Sequence, residues 1–453
     1  MTPLAHGIGV VRDLPIPAAY FFVGAAVVLG VSFVLLFYLW RRPLLEAHEG
    51  GRKLPQGLSA LILSRAVRVL LGAFSAGLLI LTLATALFGT TVELLNFAPT
   101  FVLVIFWVGV PLLSIVLGNV WSVLSPWRAI ADASVWIIEL GGKQARPVLD
   151  WTGRMGRYPA AAALFAFVTL ELAHPQPSYP RTLGIAVALY TYWALAGMAV
   201  YGRDSWTRYG EGFAVAFGLL ARMSPFAVRD GSVHVRWPFS GLAGDDRIAG
   251  TLFFVAVLLG STSFDGFSRS RTWQDMLAEL RVELADSSQR TVDLATTLVN
   301  VGGLAFFVAA VLATYLAAVA AAEKLGGIRR SLVPDFVLPL VPIAAAYMVA
   351  HYFTLAVIQG QFVIPLISDP FGRGWDLFGT VDFAPNLAIV TYETVWYVQV
   401  GALVIGHVAG LAIAHDRAVV VFHDRRTSLE AQLPMLGLMV LYTLMGMWLL
   451  TRG

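Results

Sequence analysis

The sequence predicts an all-α, polytopic transmembrane helix bundle of about ten spans. Three observations carry this. Hydrophobic residues make up 58% of the 453 and charged residues only 13%, against roughly half and a quarter in an average soluble domain. Long uncharged runs recur at about the 20 residues a helix needs to cross hydrocarbon. Between them, Lys and Arg gather in alternate loops, as they do on one side of a membrane.

The expected spans are 18–40, 67–89, 98–124, 157–174, 181–201, 247–263, 294–322, 333–358, 388–415 and 432–451. The first apolar run is long and is followed by Arg41 and Arg42, which fits an uncleaved anchor with its N-terminus outside rather than a signal peptide. Arg41, Arg42, Arg52, Lys53 and Arg65 follow the first span, and Arg128, Lys143, Arg146, Arg154 and Arg157 follow the third. The opposite side of this half carries Arg12 and Arg181. In the second half, Lys324, Arg329, Arg330, Arg417, Arg425 and Arg426 sit in short inner stretches, while outer basic residues are spread thinly beside many acids. An eleventh span at 209–227 would invert everything after it. Its clean apolar part, between Glu211 and Arg222, has the length of an interfacial or re-entrant segment. Ten spans with both termini outside is the expectation, and it admits a five-plus-five inverted repeat. Pro111 in span three and Pro339 and Pro342 in span eight occupy corresponding helices of such a repeat.

Three segments should not span. One follows Ser125-Pro126 along the surface, from Trp127 to Leu140. An outer amphipathic helix within 264–293 repeats apolar residues at Trp273, Met276, Leu277, Leu280 and Leu284. Ahead of it, Phe264-Asp265-Gly266-Phe267 reads either as a capping turn or as an acid at the outer mouth. The Gly-, Pro- and Asp-rich segment 359–387 reads as a structured outer cap.

The ionisable residues inside spans point to function, because charge in lipid is costly. On span nine, Glu393, Tyr397, His407 and His415 fall on one side of an apolar helix, within about 40° of Glu393 at 100° per residue. They suit a proton or ion path, since Glu and His both exchange protons. The competing reading places Glu393 and His415 at the two water interfaces and leaves His407 as an interhelical hydrogen-bonding residue. A second group occupies the outer half: Glu171 and His174 on span four, Asn300 on span seven and His351 on span eight. Glu171, Asn300 and His351 could line a solute's way in. Alternatively, Glu171, His174, His351 and Glu393 could share one divalent cation through mixed N/O ligands. Trp121, Trp127 and Arg128 at the foot of span three read as interfacial anchors.

There is no cysteine, which removes disulfides, thiolate metal sites and cysteine nucleophiles. No Gly-x-Ser-x-Gly, Walker loop or His-Glu-x-x-His occurs. Haem is disfavoured, because His407 and His415 are about 12 Å apart on one helix and His351 is expected in the opposite half. No cofactor is expected beyond that divalent metal. No basic patch interleaved with aromatics suggests a nucleic-acid partner.

The strings GNVWSVLSPWR, STSFDGFSR, AHYFTLAVIQGQ, SDPFGRGWDLFG and WYVQVGALVIGHVAGLAIAHDRA, with AHGIGVVRDLPIP at the start, resemble a group of bacterial multi-pass membrane proteins to which no activity is attached. The resemblance implies a bacterial inner membrane and transfers no site residues. The expected function is a permease for a small ion or solute, proton-coupled through the Glu/His stripe. The alternatives are a membrane-embedded metalloprotein, as enzyme or electron carrier, and a non-transporting accessory subunit. Its partners would be the lipid bilayer, the transported ion or solute, and a second copy or another subunit.

Overall fold

The computed structural model describes residues 18–422 and 424–452. The segment holding Arg12, on which the outward N-terminus partly rests, lies outside the described residues. The chain opens with α1 (Ala18–Leu39), a one-turn helix α2 (Leu44–Ala47) and strand β1 (Arg52–Lys53). Helix α3 (Arg65–Phe88) starts where Ser64 Oγ accepts the Val67 N–H at 3.2 Å and ends at Gly89. Helix α4 (Phe97–Leu117) is capped by Asn96, whose Oδ1 accepts the Ala98 N–H. Its turns widen to π geometry over Phe101–Gly109, just before Pro111. Proline has no N–H to close an α turn, and the wider turns absorb that loss.

Helix α5 (Pro126–Leu140) follows the expected break at Ser125-Pro126, and Ser125 caps it by accepting the Arg128 N–H. There follow α6 (Tyr158–Ala173), α7 (Pro180–Tyr201) and the ten-residue α8 (Gly212–Ala221). Strands β2 (Phe226–Arg229) and β3 (Ser232–Val235) pair antiparallel, and β1 adds to β3 with Arg52 opposite Val235. Longer helices follow: α9 (Thr251–Ser268), α10 (Arg271–Glu283), α11 (Gln289–Gly326), α12 (Val341–Ile358), α13 (Tyr392–Val421) and α14 (Arg425–Arg452), with an irregular segment over 369–391 ahead of α13.

An all-α bundle is therefore what forms, and nine helices among the described residues are long and apolar enough to cross a membrane. The fourth expected span is the exception. Helix α6 has 16 residues, about 24 Å at 1.5 Å per residue. The segment at 209–227 holds the short α8, buried inside the bundle, and the first residues of β2. The small sheet was not expected, although its turn was legible. Asp230 and Gly231 both take positive φ, 49° and 68°, as an Asp-Gly hairpin turn requires.

Helices α9 and α12 are the central ones, with most of each buried inside the protein, while α1, α3 and α7 show long apolar faces outward. Two glycines seat α13 on α12. A Cβ at Gly406 would lie 2.2 Å from Ala346 Cβ and 2.7 Å from the Pro342 carbonyl oxygen. One at Gly410 would lie 2.7 Å from the Pro339 carbonyl oxygen. These small residues four apart let the backbones meet, as in other membrane helix pairs.

Candidate functional site: a buried acid–histidine cluster

Five ionisable or phenolic side chains from α6, α9 and α12 converge in the bundle. Asp265 in the last turn of α9 and Arg269, the residue that caps its C-terminus, stand four residues apart, with Arg269 Nη2 donating to Asp265 Oδ1 at 3.1 Å. On α12, His351 Nε2 lies 2.5 Å from Asp265 Oδ2, so a proton sits between them. Arg269 Nη2 is 3.2 Å from the same His351 nitrogen. Tyr352, the next residue, places its hydroxyl 3.2 Å from Asp265 Oδ2 and 3.2 Å from Glu171 Oε1 on α6. Asp265, His351, Tyr352 and Glu171 are all buried.

The phenol defines the chemistry. Tyr352 has one proton to donate, yet two carboxyl groups lie within hydrogen-bond distance. Both contacts can be hydrogen bonds only when one carboxyl group is itself protonated and donates to the phenol oxygen. Charge gives the same answer. Two carboxylates against one guanidinium leave one negative charge, and a buried net charge is costly. One added proton, on His351 or on a carboxyl group, neutralises the cluster. The site can thus take up and release a proton.

Neighbouring groups lead away from this cluster along the α12–α13 seam. The Gly406 contacts set residue 406 level with 342–346 on antiparallel helices, which puts Gln399 level with His351. Tyr347 Oη, Gln399 Nε2 and His407 Nε2 are buried and have no hydrogen-bond partner among the described residues. Buried polar atoms are nearly always bonded to protein or ordered water, so these three mark a polar seam. The other ring nitrogen of His407, Nδ1, is 2.7 Å from the Leu403 carbonyl oxygen.

The stripe residues on span nine differ in burial along the helix. Glu393 is exposed in the first turn of α13, and Tyr397 is 58% exposed. His407 and His415 are buried. At its first turns only the side carrying Val395, Trp396 and Gln399 is packed, whereas near His415 neighbours surround the helix. His415 Nδ1 is 2.7 Å from Gln432 Oε1 and Nε2 is 3.0 Å from the Trp40 carbonyl oxygen.

The proposed cation ligands are also separated. Glu171 and His351 belong to the cluster, but His174 is exposed, its Nδ1 accepting the Gln176 N–H, and Glu393 is exposed elsewhere. Among the described residues no three His, Asp or Glu side chains are set to hold a metal ion. Asn300 is bonded to another residue: its Oδ1 accepts the Trp273 indole N–H at 3.0 Å. Phe264-Asp265-Gly266-Phe267 is no capping turn. It lies within α9, and the cap is Ser270, which accepts the Trp273 N–H at the start of α10.

The opposite end of the bundle is closed by ion pairs. Asp416 Oδ1 accepts from the Trp40 indole and the Leu44 and Leu45 N–H groups, and Oδ2 from the Glu46 N–H. A carboxylate from α13 thus caps α2, favourable charge at a helix start. Arg417 Nη2 binds Asp335 at 2.7 Å and Asp245 at 3.4 Å. Hydrogen bonding to Asp335 raises the Arg330 pKa above its ordinary value. Asp246, next to Asp245, pairs with Arg157 and Arg222. Burial lowers the Arg222 pKa, and Asp246 opposes that.

Comparison with family models, curated proteins and solved structures finds no match.

Proposed function

We propose that the protein is a proton-coupled permease for a small ion or solute, with Glu171, Asp265, His351 and Tyr352 as its protonation site. The observation that supports it is the Tyr352 hydroxyl shared between two buried carboxyl groups beside a His–Asp pair. Proton-relay groups inside membrane bundles have this composition. Tyr347 and His407 extend the path toward the end of the bundle closed by Asp416 and Arg417. In this reading ten helices cross a bacterial inner membrane with both termini outside, α6 completing the set in a locally thinned bilayer. His407 stays on the path, and Glu393 and Tyr397 leave it.

The test is proteoliposomes loaded with a pH-sensitive dye and given an outward K+ or Na+ gradient. Wild type should move protons, and Asp265→Asn should stop them. Equal fluxes in the two sink the reading. A membrane-embedded enzyme is the second reading, favoured by the 2.5 Å His351–Asp265 contact beside Arg269, a set that could activate water. Such an enzyme would move no protons under either gradient.

A further inference from the structure

A cavity of about 960 Å³ opens mainly among helices of the first half of the chain, with Ala356 of α12 also in its wall; no side chain of the acid–histidine cluster lines it. Its wall includes Phe74 and Leu78 of α3, Ala162 and Ala166 of α6, and Leu189 and Tyr190 of α7. The polar groups at its surface are already bonded elsewhere. Ser75 Oγ donates to the Gly72 carbonyl and Thr82 Oγ1 to the Leu78 carbonyl. The Trp121 indole and the Tyr190 hydroxyl both donate to Glu211, and the Trp127 indole donates to Thr191. Glu211 also accepts the Phe213 and Ala214 N–H groups as the cap of α8. What these side chains offer an occupant is hydrocarbon and ring faces.

Such a cavity does not suit water, which needs polar partners. It lies among membrane-length helices, and its rim residues Phe74 and Leu189 are more than half exposed on the bundle surface. Charge lies at one end. Arg65 and Arg68 begin α3, are exposed, and have no ion-pair partner among the described residues. Arg68 is seven residues before Ser75, hence on the same helix face and about 10 Å along the axis. A guanidinium pair there matches a phosphate, and basic residues beside a span recruit phospholipid headgroups.

We propose that this cavity holds one acyl chain of a bilayer glycerophospholipid whose phosphate rests on Arg65 and Arg68. The lipid would act as a splint between α3, α6 and α7.

The test reconstitutes the full chain in dioleoyl phosphatidylglycerol vesicles, extracts it into detergent, washes it extensively, and measures phospholipid per chain by phosphate assay and native mass spectrometry. Wild type should keep one phospholipid. Ala166→Trp, which fills the cavity, should keep none. Arg65→Gln with Arg68→Gln, both at exposed positions, should weaken retention about tenfold, the loss of roughly one charge-assisted contact. Equal washing-out of wild type and variants would mean annular lipid only and overturn the proposal. So would equal retention in the arginine variant, or a retained hydrophobic molecule without phosphate.

Discussion

His351 Nε2 lies 2.5 Å from Asp265 Oδ2, joining α12 to the last turn of α9 inside the bundle. Helix α6 enters through Glu171, which Tyr352 ties to the same aspartate. Three helices are thus linked by groups that can hold a variable number of protons. A transporter needs such a linkage if protonation is to change how its helices pack.

Removing the shared phenol should separate the two carboxyl groups functionally. Tyr352→Phe keeps the ring and should cost about 1–2 kcal/mol, the value of one or two buried hydrogen bonds. Proton flux should fall more than that destabilisation explains. Thermal unfolding in detergent beside the flux assay checks both, and full flux in a folded Tyr352→Phe protein would remove the phenol from the path.

His407 provides a second check on the path. It is buried, with Nε2 unbonded among the described residues. His407→Phe preserves an aromatic ring but cannot carry a proton. Proton flux should fall, and because the ring is fully buried and bonded to the Leu403 carbonyl, stability should drop by about 1–3 kcal/mol.

The stripe's exposed end should be silent. Glu393 and Tyr397 are both exposed and unpaired among the described residues. Tyr397→Phe should shift stability by no more than about 0.5 kcal/mol, and Glu393→Gln, which removes an acid from the first turn of α13, by about 0.3–1 kcal/mol. Their proton flux should match wild type.

The helix seam makes a packing prediction. Gly406→Leu places carbon within 2.2 Å of Ala346 and 2.7 Å of the Pro342 carbonyl oxygen. Overpacking of this kind costs about 1–3 kcal/mol, and more where backbone must move. Gly401, with open space around its Cβ position, is the control: Gly401→Ala should be neutral or slightly stabilising.

At the start of α14, the Thr427 N–H and hydroxyl each donate to Asp424 and hold its carboxyl below the usual value. A lowered folded value means stability present above the unfolded pKa of about 3.9 and lost as pH falls through the folded value. Asp424→Asn should flatten the acid limb of a melting-temperature profile below about pH 4.

The bundle was legible because apolar length is written in composition: nine of the ten expected spans fall on membrane-length helices among the described residues, with ends shifted by several residues. Part of the site was also legible. Glu171 and His351 stand out as ionisable groups within apolar runs. Asp265 was hidden by Gly266, which suggests a turn, although the i, i+4 spacing of Asp265 and Arg269 is a helical ion-pair signature. Tyr352 carried no signal, since a tyrosine beside a histidine says nothing of what faces it. The stripe failed for a related reason. Helical phase fixes which residues share a side, but how far neighbours extend along that side is set by tertiary packing. Glu393 therefore ended exposed and His407 buried on nearly the same face.

The most direct test is proton flux in dye-loaded proteoliposomes for wild type, Asp265→Asn, Glu171→Gln and Glu393→Gln, each first shown to be monodisperse. The account predicts flux in wild type and Glu393→Gln, and at least about a tenfold loss, some 1.4 kcal/mol in barrier, in the two cluster variants. Undiminished flux in Asp265→Asn and Glu171→Gln, or loss in Glu393→Gln alone, would contradict it.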